Sequence, residues 1–466
     1  MKIIRMIKKF LLMPGFMVLS MLITFDVGKE SSPQINWQMC IGGTGEENIL
    51  SMIKLKDENF LYCGFTDSHN GDFDAKNGGS DAFLMKTDGA GNIIWKNSYG
   101  GSRDDVFYNL IEKANGSIIA IGTSGSNDKQ VTNHHGIPGT DDIWLVETTN
   151  NGNLIKERCF GGKGSESTFE LGMSEGLIID QNGNIVFAGE TNSTDGDLSL
   201  SNKPNHGNYD GWVVKLNSTT WNIVKSTTIG DAAYDALYNI HEINGYYFVT
   251  GTKATIAHTD PGMDIEPFYK AFAAKLDEST LDTIWYKKYG GSGSDDCNAS
   301  AISQDGNLVL TGHAASSDGD CAGNNGFNTW TWKIKAEDGT IQWKKFVGVA
   351  GDTSAAFNIT PTSDNGLIVV GGIMPRLNRY LFDAYAIKFN SEGDTLWTKR
   401  FGGNSGDQLL AVAEENNKST LVAGLTSSKN INGYHIGPVT SQDFPKSSSA
   451  KSKGPTSDAW IIKLKE

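Results

Sequence analysis

One segment recurs along this chain, and that repetition limits its fold more than any other property. The segment reads Trp37-Gln-Met-Cys-Ile-Gly42-Gly43, Trp95-Lys-Asn-Ser-Tyr-Gly100-Gly101, Trp285-Tyr-Lys-Lys-Tyr-Gly290-Gly291 and Trp397-Thr-Lys-Arg-Phe-Gly402-Gly403. Trp343 opens a form in which only Gly348 survives, and Lys156 and Lys225 take the Trp position in the two other copies. A second segment is a β-rich run ending in glycine at Gly64, Gly122, Gly189, Gly251, Gly312, Gly371 and Gly424. A third alternates around an aromatic residue at Phe83, Trp144, Trp212, Phe272, Trp330, Tyr385 and Trp460, with Lys or Glu three residues later. A fixed period of this kind marks an array of supersecondary units, none of which can bury both its faces alone.

Adding the alternating segment after each Gly-Gly, such as Val106 to Glu112, gives four strands per repeat, called A, B, C and D in chain order. Seven repeats of four strands predict an all-β seven-bladed β-propeller over residues 31–466, in which each sheet packs between two others. The first matching residues, Ile35 to Ile41, have D character and the last, Asp458 to Lys465, have C character. The N-terminal strand is therefore expected to complete the last blade and close the ring. The 55 glycines and 21 phenylalanines agree with many short strands and tight turns.

Residues 1–30 differ from the rest. Lys2, Arg5, Lys8 and Lys9 precede an apolar run from Phe10 to Phe25 that Pro14 interrupts. That layout predicts a secretory signal peptide and a secreted, periplasmic or cell-surface protein. The run is shorter than the ~20 residues of a membrane span, so no transmembrane segment is expected after signal removal. A formal charge of -14 excludes a nucleic-acid partner, because phosphate binding needs clustered Lys and Arg.

Strand order fixes which loops share a face. A-to-B and C-to-D turns are short, as at Asn182-Gly183-Asn184 and Asp338-Gly339, while the D-to-A and B-to-C face carries every long connection. Binding residues concentrate on loops held by a rigid scaffold, which directs attention to the second face. Aromatic residues that break the repeat there are candidate ligand contacts: Tyr209, Phe268, Tyr269, Phe327, Tyr434 and Phe444.

An acidic residue follows each D-to-A glycine: Glu47, Asp105, Glu166, Asp235, Asp295, Asp352 and Asp407. These carboxylates either ring the mouth of a central channel and attract a cation, or accept backbone N–H groups and fix their own turns. Asp195-Gly196-Asp197 and Asp318-Gly319-Asp320, with Asn70-Gly71-Asp72 as a weaker copy, offer closely spaced oxygens on a glycine turn. Calcium is the cofactor such loops would take, with Asx-turn chemistry as the alternative. Seven of eight histidines fall in or beside B-to-C loops, yet on different repeats, which speaks against a shared metal site. Of five cysteines, Cys297 and Cys321 fall on one face of one repeat and are the disulfide candidate.

The Trp-to-Gly-Gly, Gly and Asp-x-aromatic pattern resembles the β-propeller repeats of secreted bacterial proteins, over nearly everything after residue 34. The resemblance implies a scaffold, not a chemistry. Asp338-Gly-Thr-Ile-Gln-Trp343 is similar to the turn-plus-Trp repeat of quinoprotein propellers, and Ser391-Glu-Gly-Asp-Thr-Leu-Trp397 resembles the sialidase Asp box with Asp and Gly transposed. No nucleophile, acid/base pair or arginine triad stands apart from the repeat. The reading is a non-catalytic recognition scaffold for a protein, peptide or glycan. The alternatives are a hydrolase or lyase acting on extracellular glycans and a structural part of a cell-surface assembly.

Overall fold

A computed structural model of the chain describes residues 32–466 apart from 74–76, 169–175, 256–267, 349–351, 375–381, 404, 417 and 429–455. The expected signal peptide, residues 1–30, lies outside the described residues. The described chain is all-β, of the β-propeller type, built from four-stranded antiparallel sheets. The first repeat shows the unit: Glu47–Lys54, Phe60–Thr66, Asp81–Thr87 and Ile93–Tyr99 pair in chain order as strands A to D. The fourth and fifth repeats share one eight-stranded sheet, joined by a parallel bridge between Lys270 and Asp295. In the third repeat strand A is described in two pieces, Glu166–Ser167 and Leu177–Ile179.

The N-terminal strand Gln34–Ile41 lies antiparallel to the C-terminal strand Asp458–Lys465, with Gln34 opposite Lys465 and Ile41 opposite Ala459. It occupies the D position of a sheet whose other strands come from the end of the chain. Alternation explains its faces: Ile41 is buried, while Gln38 accepts the indole N–H of Trp460 at 3.3 Å.

Apolar cores lie between successive sheets. Leu61, Leu84 and Tyr99 of the first repeat pack with Phe107, Leu110 and Trp144 of the second. Phe160 and Ile121 of the second pack with Phe187 and Trp212 of the third. The same arrangement joins the last sheet to the first, where Ile41, Ala411, Leu421 and Ile461 meet Ile49, Phe60 and Phe83. Burying each such aromatic or aliphatic side chain stabilises by about 1.5–3 kcal/mol.

The recurring Lys or Glu of strand C has a structural task that crosses its own sheet. Lys86, Lys215, Lys333, Lys388 and Lys463 are each almost buried and pair with an acid at the A-to-B turn: Asp57, Asp180, Asp305, Asp364 and Glu415 at 2.6–2.9 Å. The second repeat reverses the charges, with Lys113 on the turn and Glu147 on the strand, 2.8 Å apart. The fourth repeat has Asn244-Gly245 at its turn and no acid there, and Lys275 lies instead over the ring of Tyr246, 3.9 Å from its centroid.

The strand D tryptophan reaches the neighbouring sheet. Trp95 donates its indole N–H to Asn150 O at 3.0 Å and packs on Gly152, whose φ of +77° needs glycine and where a Cβ would come within 2.7 Å of the indole. Trp343 meets Ser391 O and Gly393 in the same way. Where Lys156 replaces the tryptophan, the neighbouring turn supplies one: the Lys156 ammonium sits 4.4 Å from the ring centroid of buried Trp221. Ring and partner have changed places while the contact persists.

Each fully described strand A carries a β-bulge at one equivalent position, occupied by Leu50, Tyr108, Tyr238, Asn298, Phe357 and Leu410. A bulge re-aims the extra residue. Leu50, Tyr108, Phe357 and Leu410, from four different sheets, converge in one apolar cluster. Beside them, Asn298 Nδ2 donates to Ala356 O at 2.9 Å and Asn358 Nδ2 to Leu410 O at 3.1 Å, tying strands A of adjacent sheets together.

Candidate functional site

The loop face is organised around the Gly-Gly turns. In the third repeat the amide of Gly161 faces Asp197 at 3.3 Å, that of Gly162 donates to Glu166 at 2.9 Å, that of Lys163 to Asp195 at 2.8 Å and that of Gly164 to Ser193 at 2.8 Å. The first and fifth repeats repeat the pattern through Asp72, Glu47, Asn70 and Ser68, and through Asp320, Asp295, Asp318 and Ser316. Four consecutive N–H groups that no sheet satisfies are thus taken by side chains.

This geometry assigns the Asp-Gly-Asp motifs a turn-fixing role. Asp195 also pairs with Lys163 at 3.1 Å and Asp197 with Arg158 at 3.1 Å. Among the described residues no group of three His, Cys, Asp or Glu side chains is arranged to hold a metal ion.

Of the two roles open to the repeated acids, the geometry supports the turn. Glu47, Asp105, Glu166, Asp235, Asp295 and Asp407 are buried, and each accepts a backbone N–H from its own turn, at Gly43, Gly101, Gly162, Asp231, Gly291 and Gly403. Hydroxyls of strand B residues such as Thr66, Thr191 and Ser124 complete several of them. Burial, only partly offset by these donors, pushes the Asp105 and Asp235 carboxyls up to about 6 and raises Glu47, Glu166 and Asp407. At Asp295 burial pushes upward, but hydrogen bonds from the Ser316 hydroxyl and the Gly291 and Ser316 amides, with Lys270 nearby, hold the carboxyl below its ordinary value. Asp352 is half-buried. The six buried carboxylates hold their turns.

The expected disulfide is also absent. Cys297 and Cys321 are buried free thiols, the first 3.8 Å from Ala299 O and the second 3.4 Å from the Asp295 carboxylate. Sharing a face and a core did not bring the two sulfurs into a bond.

The asymmetry that repetition cannot explain lies at the residue just before strand C. Its carbonyl accepts an N–H from the start of the next strand A: Ser80 from Asp105 at 2.8 Å, Asp141 from Glu166 at 2.8 Å, Tyr209 from Asp235 at 2.8 Å, Phe327 from Ser354 at 3.0 Å, Phe382 from Asp407 at 2.7 Å and Ser457 from Glu47 at 2.9 Å. In the fourth repeat, the bridge from Lys270 to Asp295 adjoins Tyr269, whose own N–H donates to Ser294 Oγ. The backbone is pinned alike throughout, while the side chains divide. Four successive repeats carry aromatics, Tyr209, Tyr269, Phe327 and Phe382, and the others carry Ser457, Ser80 and Asp141.

Tyr234, at the start of the fourth repeat, links two of these rings, at 5.7 Å from Tyr209 and 6.4 Å from Tyr269. Its hydroxyl donates to Glu190. Phe327 is 53% exposed and stacks on His313 at 5.8 Å. Phe268, next to Tyr269, is 48% exposed. Beside Tyr209 opens a recess of about 420 Å³ lined by Tyr108, Asp104, Asp141, Glu166 and Glu190. Burial first, and then the nearby carboxylates of Glu190, Glu166 and Asp141, raise the Tyr209 phenol above its usual value. Two tyrosines, Tyr108 and Tyr209, share this lining with the acids.

Of the six aromatic contacts expected from sequence, Tyr209, Phe268, Tyr269 and Phe327 fall on or beside this arc, and Tyr434 and Phe444 lie outside the described residues. Phe382 and Tyr234 were missed. Aligning the residue before each Asp-x-aromatic segment would have found Phe382; Tyr234 sits in a turn with no such guide. The histidines remain dispersed: His135 and His206 each bond a strand C aspartate, Asp142 and Asp210, and His241 meets Ser300. His258 and His435 lie outside the described residues.

No family model and no curated protein matches the sequence. Solved structures similar to the chain include a protein of unknown function from Dyadobacter fermentans, at 10% identity over 93% of this chain and 99% of that one, with a TM-score of 0.44. The Dos1 propeller is similar at 8% identity over 93% and 95% of the two chains, with a TM-score of 0.41. Drosophila Plexin A, in complex with Semaphorin 1b, is similar at 7% identity over 93% and 87%, with a TM-score of 0.43.

Proposed function

We propose that the chain is an exported seven-bladed β-propeller, closed by its N-terminal strand, that serves as a non-catalytic recognition scaffold on its loop-bearing face. Support for closure comes from the pairing of Gln34–Ile41 with Asp458–Lys465, the core joining the last sheet to the first, and the Glu47 N–H to Ser457 O bond. Export rests on the basic and apolar character of residues 1–25.

The recognition reading is carried by one observation. At a position whose backbone is held identically around the sheets, aromatics occupy one contiguous arc beside an acidic recess. Folding does not require that arc, since Ser80 and Ser457 serve the same backbone junction. Exposed aromatic anchors bordered by charge are what a protein, peptide or glycan partner is recognised by, and the carboxylates favour a basic group on that partner.

The test compares the purified chain with the triple variant Tyr209→Ala, Tyr269→Ala, Phe327→Ala in pull-down, peptide-array and glycan-array binding. The expected result is loss of the bound partner with unfolding changed by less than about 2 kcal/mol. Binding retained by the triple variant, or turnover of a glycoside by the wild-type chain, overturns the reading.

A further inference from the structure

A second feature of the same molecule has the opposite electrostatic character. Between the third and fourth repeats a groove of about 610 Å³ is lined by Lys203, His206, Asp231, Lys253, Tyr286 and Lys288. It adjoins a recess of about 370 Å³ that shares Asp231, Lys253 and Lys288. The chain as a whole carries a formal charge of -14, so three lysines lining one cavity go against its composition.

Which of these charges are already used decides what the groove can hold. Lys253 is committed, with Asp231 at 2.7 Å and Asp235 at 2.9 and 3.0 Å. Those bonds engage Asp231, which lines the groove, and buried Asp235 behind it. Asp210 is likewise taken, by the backbone N–H and Nδ1 of His206, both at 2.8 Å. Lys203 and Lys288 have no ion-pair or hydrogen-bond partner for their ammonium groups among the described residues. The groove therefore keeps Lys203 clear of its acids, with Lys288 near Asp231, whose carboxylate Lys253 already holds.

One wall is aromatic. Tyr286 stacks on Phe272 at 5.1 Å with ring planes 27° apart, which fixes the ring, and it remains 36% exposed. Thr228 and Thr283 add hydroxyls to the lining. A fixed aromatic ring suits the C–H face of a sugar, hydroxyls suit its polar edge, and paired ammonium groups suit a carboxylate or sulfate.

The geometry points to a site for an acidic saccharide in the groove formed by Lys203, Lys288 and Tyr286. Its lining shares no residue with the aromatic arc, and it does not depend on the reading given for that face. An anionic sugar would bridge the third and fourth repeats, with its acid group between the two lysines and a ring face on Tyr286.

The test is calorimetric titration of the full chain with glucuronate, glucose and sulfate, each alone, at low salt. Glucuronate is expected to bind, glucose to bind at least about tenfold more weakly, and sulfate also at least about tenfold more weakly because it lacks the ring. The double variant Lys203→Ala, Lys288→Ala should weaken glucuronate about tenfold or more, and Tyr286→Ala should weaken glucuronate but not sulfate. Unchanged urea unfolding midpoints would show that the variants stay folded; a variant that unfolds early is replaced by Lys203→Gln, Lys288→Gln. Absence of glucuronate binding, equal binding of glucose, or unchanged affinity in the folded lysine variant overturns the assignment. Sulfate binding as tightly as glucuronate refutes a saccharide ligand.

Discussion

The reversed charge pair of the second repeat offers a sharp test of how these sheets are held. Five repeats place Lys on strand C and the acid on the A-to-B turn, whereas Lys113 and Glu147 exchange the two at 2.8 Å. Glu147→Lys sets two ammonium groups at the same place, near Lys156. At an effective dielectric of about 20, like charges at that separation would repel by about 6 kcal/mol. The side chains, 18% and 10% exposed, can move apart, and Ser117 loses the acceptor it now reaches at 2.7 Å. The net destabilisation expected is about 2–3 kcal/mol, the scale of a broken, mostly buried pair. Adding Lys113→Glu recreates the arrangement of the other repeats and should restore stability to within about 1 kcal/mol of wild type. Urea unfolding followed by tryptophan fluorescence reads both changes, the single variant shifting the midpoint by about 1 M at slopes of about 2–3 kcal/mol/M. A neutral single variant, or a double variant no better than the single, would refute the claim that a cation and an acid, in either order, hold this turn.

Deleting residues 31–41 removes a whole strand and the buried Ile41, and should lower the unfolding midpoint of the entire domain; an unchanged thermal transition would refute closure by the N-terminus. Gly152→Ala forces a Cβ into φ +77° and onto Trp95, with an expected cost of about 1–3 kcal/mol in urea unfolding, whereas Gly116→Ala, with φ +83° but open space, should cost less. Asp296 has a buried oxygen with no hydrogen-bond partner, and burial followed by the Asp295 charge pushes its carboxyl up to about 7. A carboxyl whose folded value is raised contributes stability below its unfolded value near 4 that is lost as pH rises through 7. Asp296→Asn should therefore raise the unfolding midpoint at pH 8 and change it little at pH 4; an equal effect at both would show that ionisation is not the cause.

Much of the fold was legible because repetition multiplies weak signs. Gly-Gly, the strand B glycine and the strand C aromatic each say little once, yet five spaced copies of the first and seven of the others give strand number, order and loop face. The N-terminal strand could be placed because Trp37 and Gly42-Gly43 match a segment otherwise found inside the chain. The acids after Gly-Gly were read with two roles open, and geometry chose the turn because backbone amides reach them at about 2.7–2.9 Å. The bulges of strand A were not legible. Hydrophobic alternation is compatible with an extra residue, and only the register shift at Leu50, Tyr108 or Phe357 reveals it. Cys297 and Cys321 were misjudged because sequence gives a shared loop face but not the direction of a sulfur.

The carbonyl before strand C has a wider consequence than the aromatics that follow from it. Because the main chain makes that junction, the side chain attached there is left to vary, as the exchange among Tyr209, Phe327, Ser80 and Asp141 shows. Such positions act as interchangeable sockets set at regular intervals around one face. A protein with sockets of this kind can acquire, lose or move a specificity one residue at a time while its stability stays where it was. Transplanting Tyr209 or Phe327 chemistry onto Ser80 or Ser457 would place an aromatic at the same junction of another repeat without asking the main chain to change.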